Sequence, residues 1–257
     1  MLKEAGLFQD IDKVKEAIQA LRDHEPKEGY YLAFSGGKDS IVIYDLAERA
    51  GVKFTAWFHL STVDPPELLR YLLKYYPYPR IRRVVPKMTM WNLIVKKRMP
   101  PTRLARYCCE YFKENGGEGG TAVTGVRRAE SSKRRKRELY EEAYGGKRMI
   151  LNPIISWTDQ DVWEYIRTYK MPYCELYDQG MKRIGCIGCP MGHPDRDFNR
   201  YPKFKKLYIQ AFQRMIEKRR ADGLKTQWET GQDCYNWWVK KVVKEPDQLC
   251  FGYGMEN

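Results

Sequence analysis

Two groups of residues in this chain have the types and spacing to do chemistry. The first is a set of four cysteines in two close pairs. Cys108 and Cys109 are adjacent, and Cys186 and Cys189 follow in the string Cys-Ile-Gly-Cys-Pro. Four thiolates so paired can enclose one metal centre, either a tetrahedral zinc or an iron–sulfur cluster. Spacing alone does not choose between them, although an adjacent pair is less usual for zinc. The second group is Ser35-Gly36-Gly37-Lys38-Asp39-Ser40, set between the apolar run Tyr30–Phe34 and the helical pattern Ile41, Val42, Ile43, Leu46, Ala47. In a strand–turn–helix the glycines let backbone N–H groups approach a ligand, and the helix N-terminus beyond them favours an anion. Lys38 adds a mobile charge, and Ser35 and Ser40 add hydroxyls. The GxxxxGK[ST] spacing of the Walker loop is absent.

These strings need elements to hold them. A helix is expected over residues 9–23 from Ile11, Val14, Ala17, Ile18 and Leu21. Strands are expected at Tyr30–Phe34, Lys53–Phe58, Ile81–Val85, Thr121–Gly125 and Met149–Leu151. Helices fall between them, one opened by Pro65-Pro66. The alternation predicts an α/β fold: a Rossmann-like parallel five-stranded sheet with helices on both faces and a helical C-terminal extension. Residues 1–155 are read as the nucleotide-binding domain. Residues 156–257 are read as an extension that carries the CxxC and packs on the same site. Ligands in such sheets sit at the carboxyl ends of strands, the edge that Ser35–Ser40, Asp64 and Gly125–Arg128 all follow. Asp64 is a candidate for holding magnesium or for capping the next helix.

The chain has 257 residues, a formal net charge of +13 and a sequence pI near 9.3, a surplus that attracts polyanions. The run Lys133-Arg134-Arg135-Lys136-Arg137 is either a solvated face or a clamp for a phosphorylated or nucleic-acid substrate. His59 and His193 lack spaced partners, Trp228, Trp237 and Trp238 read as core before base-stacking, and Cys174 reads as a buried bystander. No run approaches the ~18 apolar residues of a membrane span, and the N-terminus lacks a signal-peptide pattern. Seven cysteines, an odd number, do not suggest a secreted disulfide scaffold. The expectation is a soluble cytoplasmic protein with no membrane partner.

The string Ser35–Ser40 resembles the PP-loop of the ATP pyrophosphatase superfamily, whose members cleave ATP between its α and β phosphates. A longer ordered set resembles the sulfonucleotide reductase family, which acts on adenylylsulfate and phosphoadenylylsulfate. It comprises Arg106–Cys109 with Lys113, Thr124–Ser131, Trp157–Ile166, Pro172–Gly180 and Gly185–Pro190. The resemblance implies a 4Fe–4S cluster on Cys108, Cys109, Cys186 and Cys189 with Lys113 near it. It also implies phosphate or sulfate contacts from Gly125, Arg127 and Arg128. Two departures stand out. The C-terminal Glu-Cys-Gly-Leu-His-type motif of the reductases is absent, leaving only Cys234 and Cys250 in the tail. The PP-loop is intact, as in members that use ATP itself. Both departures favour an ATP- and magnesium-dependent adenylating sulfur-transfer enzyme. In that reading Lys38 and Asp39 act at the phosphates and Cys234 or Cys250 carries sulfur. The sulfur arrives as a persulfide on one of these cysteines or bound to the cluster, with a cysteine desulfurase-like donor or a reductant as partner, and the basic surface suits a nucleic-acid acceptor. The alternatives are a reductase using a tail cysteine, and a non-catalytic nucleotide- and cluster-binding sensor.

Overall fold

The computed structural model describes residues 2–4, 11–114, 116, 120–143, 145–146, 148–192 and 194–244. A short antiparallel ribbon, β1 (Lys3–Glu4) with β2 (Ile11–Asp12), leads into α1 (Lys13–Asp23). The expected helix began at residue 9. It starts at Lys13 because the Asp12 carboxylate caps it, accepting from the N–H groups of Val14 and Lys15. Next come β3 (Tyr30–Ala33), α2 (Lys38–Ala50), β4 (Phe54–His59), α3 (Pro66–Tyr75) and β5 (Ile81–Val84). After α4 (Met90–Lys97), the short α5 (Tyr107–Cys109) continues into one π-helical turn, Glu110–Glu114. Then follow β6 (Thr121–Val123), 3-10 turns at Arg128–Glu130 and Arg134–Lys136, β7 (Tyr140–Ala143) and β8 (Arg148–Leu151). The helices α6 (Asp159–Thr168), α7 (Pro194–Arg200), α8 (Pro202–Ala221) and α9 (Gly231–Lys244) complete the described chain.

The main sheet has six strands, in the order β5-β4-β3-β6-β8-β7, and not the expected five. Five are parallel, and β7 pairs antiparallel with β8. The extra strand escaped the hydrophobic pattern because Tyr140-Glu141-Glu142-Ala143 alternates no apolar face. A charged edge strand needs none, and its carboxylates discourage further pairing. The chain leaves β3 toward β4 and β5, then crosses back to β6 and β8. The order therefore reverses between β3 and β6, where doubly wound sheets bind ligands beyond their strand ends.

The chain divides into two compact units. The first comprises residues 1–59, 66–84 and 115–184; the second comprises 60–65, 85–114 and 185–257. Residues 156–184, with α6, thus group with the sheet, whereas the sequence pattern put a single boundary after residue 155. In the first unit Leu32, Ile41, Ile43, Leu46, Ile81, Val123, Leu151 and Tyr165 are all but excluded from solvent. In the second, Phe212, Met215, Ile216 and Trp238 anchor a separate core around α8 and α9. Trp238 is fully buried and donates its indole N–H to the Pro101 carbonyl at 2.6 Å. That contact and the burial of Trp228 bear out their reading as core residues.

Candidate functional site

In the first unit, β3 ends at Ala33 and α2 begins at Lys38, so the four residues between them make the whole turn. Gly36 has φ +72°, and a Cβ there would lie 2.7 Å from the Leu68 side chain, so both conformation and space demand glycine. Gly37 is the N-cap of α2 and offers no side-chain cap. Two serines brace the turn: Ser35 Oγ donates to Ser40 Oγ at 3.2 Å, and Ser40 Oγ donates to the Gly37 carbonyl at 2.8 Å. The first free N–H of α2, that of Lys38, donates to the Tyr177 hydroxyl at 2.8 Å. Across the reversal, Gly125 follows β6, and a Cβ there would come within 3.0 Å of Asp39 backbone and side-chain atoms. Only glycine lets the two loops approach so closely.

Four charges meet at this turn. Lys38 Nζ lies 3.1 Å from Asp159 Oδ1 and 3.6 Å from Asp39 Oδ2. Arg127 donates from Nε to Asp39 Oδ1 at 2.7 Å and from a terminal nitrogen to Asp159 Oδ1 at 3.1 Å. The two cations are nearly buried, with side chains 6% and 3% exposed, whereas the Asp159 side chain is 65% exposed. Arg127, expected at a phosphate or sulfate, is held here by two carboxylates. Arg128 is exposed and bonds the Arg137 carbonyl and Glu138. In the basic run, Lys133, Arg135 and Lys136 are exposed, while Arg134 and Arg137 pair with Glu130 and Glu141. His59 bonds the Tyr31 hydroxyl at 2.5 Å, an ordinary packing role.

In the second unit all four candidate cysteines line one concavity with Lys113, Ser61 and Phe112. Backbone bonds fix the CxxC turn: Ile187 N–H donates to the Val63 carbonyl at 2.7 Å, and Gly188 N–H to Asp197 Oδ2 at 2.9 Å. Of the adjacent pair, Cys109 is the more acidic. The Cys108 thiol donates to it, and Arg106 and Lys113 stabilise its thiolate, drawing its pKa down to about 5. That same hydrogen bond, with burial, holds Cys108 protonated, and burial raises Cys189. Lys113 is exposed by surface area, yet its ammonium is held above the ordinary lysine range, first by Cys186 and also by Asp64 and Cys109. Cys186 Sγ donates to Ser61 Oγ at 3.3 Å. Among the described residues no three His, Cys, Asp or Glu side chains are grouped to hold a single metal ion. The described cysteines are all free thiols.

Two expected site residues are engaged or enclosed by the fold. The two oxygens of Asp64 accept from the Ser61 N–H and hydroxyl at 2.7 and 2.8 Å, so this carboxylate closes its own turn and neither caps α3 nor stands open to magnesium. Cys234 is completely buried in α9, and burial pushes its thiol above the ordinary range, so it presents no reachable thiolate. Cys250 and His193 lie outside the described residues. Conversely, Asp159 and Tyr177 were not read as site residues. Their contacts with Lys38 bridge more than a hundred residues, and no local string signals such a pairing.

The model of the phosphoadenosine phosphosulfate reductase domain matches residues 29–192. An adenosine 5'-phosphosulfate reductase of Staphylococcus epidermidis is 30% identical over 196 residues, covering 69% of this chain and 78% of that protein. An uncharacterised protein of Methanocaldococcus jannaschii is 29% identical over 209 residues; the match covers 75% of this chain and 43% of that longer protein. Among solved structures, a phosphoadenylyl-sulfate reductase from Candida auris in complex with phosphate aligns with a TM-score of 0.51 at 20% identity. It covers 66% of this chain and 88% of that one, a likeness of fold. No described helix is long and apolar enough to cross a membrane.

Proposed function

Because the chain belongs to the phosphoadenosine phosphosulfate reductase domain family, we propose that it binds an adenine nucleotide at the Ser35–Ser40 turn, and that the nucleotide is ATP. The observation that carries this is the turn itself: a helix N-terminus, two glycines, two hydroxyls and the nearly buried Lys38 ammonium converge beyond β3. Such a cradle suits a pyrophosphate group. Lys38 stabilises negative charge on the leaving pyrophosphate, and Asp39 and Arg127 hold Lys38 and the turn in register. Were magnesium to accompany the triphosphate, Asp39 would be the carboxylate placed to hold it.

In this reading an acceptor oxygen attacks the α-phosphorus, the bond to the β-phosphate oxygen breaks, and pyrophosphate leaves. The terminal sulfur of a persulfide on a cysteine desulfurase-like donor then displaces AMP, and a thiol reductant releases the resulting disulfide. The acceptor is a nucleic acid, favoured by the exposed Lys133, Arg135 and Lys136. The four cysteines suit a 4Fe–4S cluster, since all four residues line one concavity with Lys113. When bound there, the cluster supplies electrons and a soft site for sulfide. Lys113 adds a positive charge beside the thiolates.

The second reading, a sulfonucleotide reductase, is favoured by the 30% identity to an adenosine 5'-phosphosulfate reductase. The burial of Cys234 removes that thiol as the attacking group of such a reductase. Anaerobic protein supplied with ATP and, separately, with adenylylsulfate distinguishes the two. Pyrophosphate released with an RNA or DNA acceptor and abolished by Lys38→Ala supports adenylation. Sulfite from adenylylsulfate, without pyrophosphate from ATP, makes the chain a reductase.

A further inference from the structure

Lys38 offers two groups to an anion, its backbone N–H and its ammonium, and both are engaged by the protein's own side chains. The Tyr177 hydroxyl accepts the N–H at 2.8 Å, and Asp159 Oδ1 takes the ammonium at 3.1 Å. The same Asp159 oxygen also takes Arg127 at 3.1 Å. Tyr177 stands close enough that a Cβ on Gly37 would lie 3.4 Å from its oxygen. The Tyr177 ring packs edge-to-face against Trp163, which sets its place, while its hydroxyl accepts the Lys38 N–H. The start of α6 is secured by Thr158 and Asp161, whose capping box is complete without Asp159. Arg127 and Lys38 both retain Asp39 as counter-ion. A carboxylate that is 65% exposed while bridging two nearly buried cations is placed as a phosphate oxygen would be.

We propose that Asp159 and Tyr177 form a built-in substitute for the nucleotide's phosphates, which occupies the Lys38 cradle in the free protein and must be displaced for an anion to bind. Asp159 faces solvent and has room to leave, whereas Tyr177, whose ring packs on Trp163, gives up only its bond to the Lys38 N–H. The device sets a threshold. A weakly charged or singly anionic ligand does not displace the pair, whereas a pyrophosphate group, with several oxygens, replaces both contacts at once. The two residues thereby act on selectivity and affinity without touching the reacting atoms, which makes them positioning residues. The inference rests on the turn being a phosphate site.

The test is calorimetric titration of inorganic pyrophosphate into the full chain, with inorganic sulfate as the weaker anion. Asp159→Asn removes the competing charge and keeps the shape. It should tighten pyrophosphate binding about tenfold at low salt, with a gain that shrinks as salt rises. Tyr177→Phe removes a neutral hydrogen-bond competitor and should tighten binding about threefold with no added salt dependence. Both variants should also admit sulfate more readily than the natural protein does. Glu48→Gln is the charge control, since Glu48 lies on α2 ten residues from Lys38, about 15 Å along the helix. Should Asp159→Asn fold poorly by thermal melting, Asp159→Ser replaces it. Equal or weaker binding by the Asp159 and Tyr177 variants overturns the inference and leaves the phosphate site standing. An equal gain from Glu48→Gln also overturns it. Absence of pyrophosphate binding in every form, with and without magnesium, removes the phosphate site and the inference together.

Discussion

Replacing Asp161 with asparagine tests how the sheet unit holds the start of α6, and with it the carboxylate that reaches Lys38. Asp161 is fully buried, and its Oδ2 accepts from Lys13 Nζ at 3.0 Å, from Thr158 N–H at 2.7 Å and from Thr158 Oγ1 at 2.8 Å. The Lys13 side chain is only 10% exposed. Burial alone would raise the Asp161 carboxyl. It is outweighed by hydrogen bonds, including those from Thr158 and Lys13, that hold the pKa well below the carboxylate range. Asparagine preserves the shape and the cap geometry but removes the carboxylate charge that faces the nearly buried Lys13 ammonium. Removing one partner of a buried pair costs about 3–5 kcal/mol. For a chain of this size that is a fall in melting temperature of roughly 6–20 °C, at about 2–4 °C per kcal/mol.

The assay is thermal and urea unfolding followed by circular dichroism on four proteins: the natural chain, Lys13→Met, Asp161→Asn and the double variant. The double variant should recover part of the loss, because the ammonium and the carboxylate that face each other are then removed together. The pH dependence has a definite sign. A depressed carboxyl contributes stability that is complete above its unfolded pKa of 3.8 and is lost as pH falls through the lower folded value. Asp161→Asn should flatten that acid limb. A loss below about 1 kcal/mol, or strictly additive effects of the two substitutions, would refute the reasoning and reduce the pair to a surface-like contact.

Further outcomes follow from the other unit and from the charged surface. Anaerobically prepared protein should be brown with about four irons and four sulfides per chain, and Cys108→Ser or Cys189→Ser should lose the colour; stoichiometric zinc without sulfide after reconstitution would contradict the cluster. Cys234→Ser should leave nucleotide turnover unchanged while lowering stability by about 1–3 kcal/mol, since it puts a hydroxyl in a fully buried position; a loss of turnover with the fold intact would make Cys234 functional. Affinity for RNA or DNA should fall steeply with salt, and replacing Lys133, Arg135 and Lys136 with glutamine should lower the slope by about three at most. An unchanged slope would return those side chains to a solvated face.

What the sequence disclosed was local. Ser35–Ser40, Cys108-Cys109 and Cys186–Cys189 each lie within six consecutive residues, and their chemistry is written in neighbouring letters. The parallel strands were legible because they carry apolar runs. β7 was not, because its exposed edge needs no apolar face. Arg127 illustrates a different limit. The residue was correctly singled out, but its partners Asp39 and Asp159 stand 88 and 32 positions away, so its engagement by carboxylates was invisible. The engagement of Asp64 was hidden for the opposite reason. Its partner Ser61 is only three residues away, and a turn that closes on itself looks in sequence like a free carboxylate after a strand. The division into units was hidden because residues 60–65 and 85–114 leave the sheet unit and return to it.

The balance of charge at Lys38 bears on the choice of nucleotide. Two cations, Lys38 and Arg127, face two carboxylates, Asp39 and Asp159, so the cradle is close to neutral as it stands. Displacing Asp159, as proposed, would leave a surplus of one positive charge for phosphate oxygens. On the proposed ATP reading, a magnesium ion carried by the triphosphate would add to that surplus and would find Asp39 as its carboxylate. Adenylylsulfate has no pyrophosphate to carry such an ion, so the proposed reading predicts that magnesium strengthens binding of ATP more than binding of adenylylsulfate.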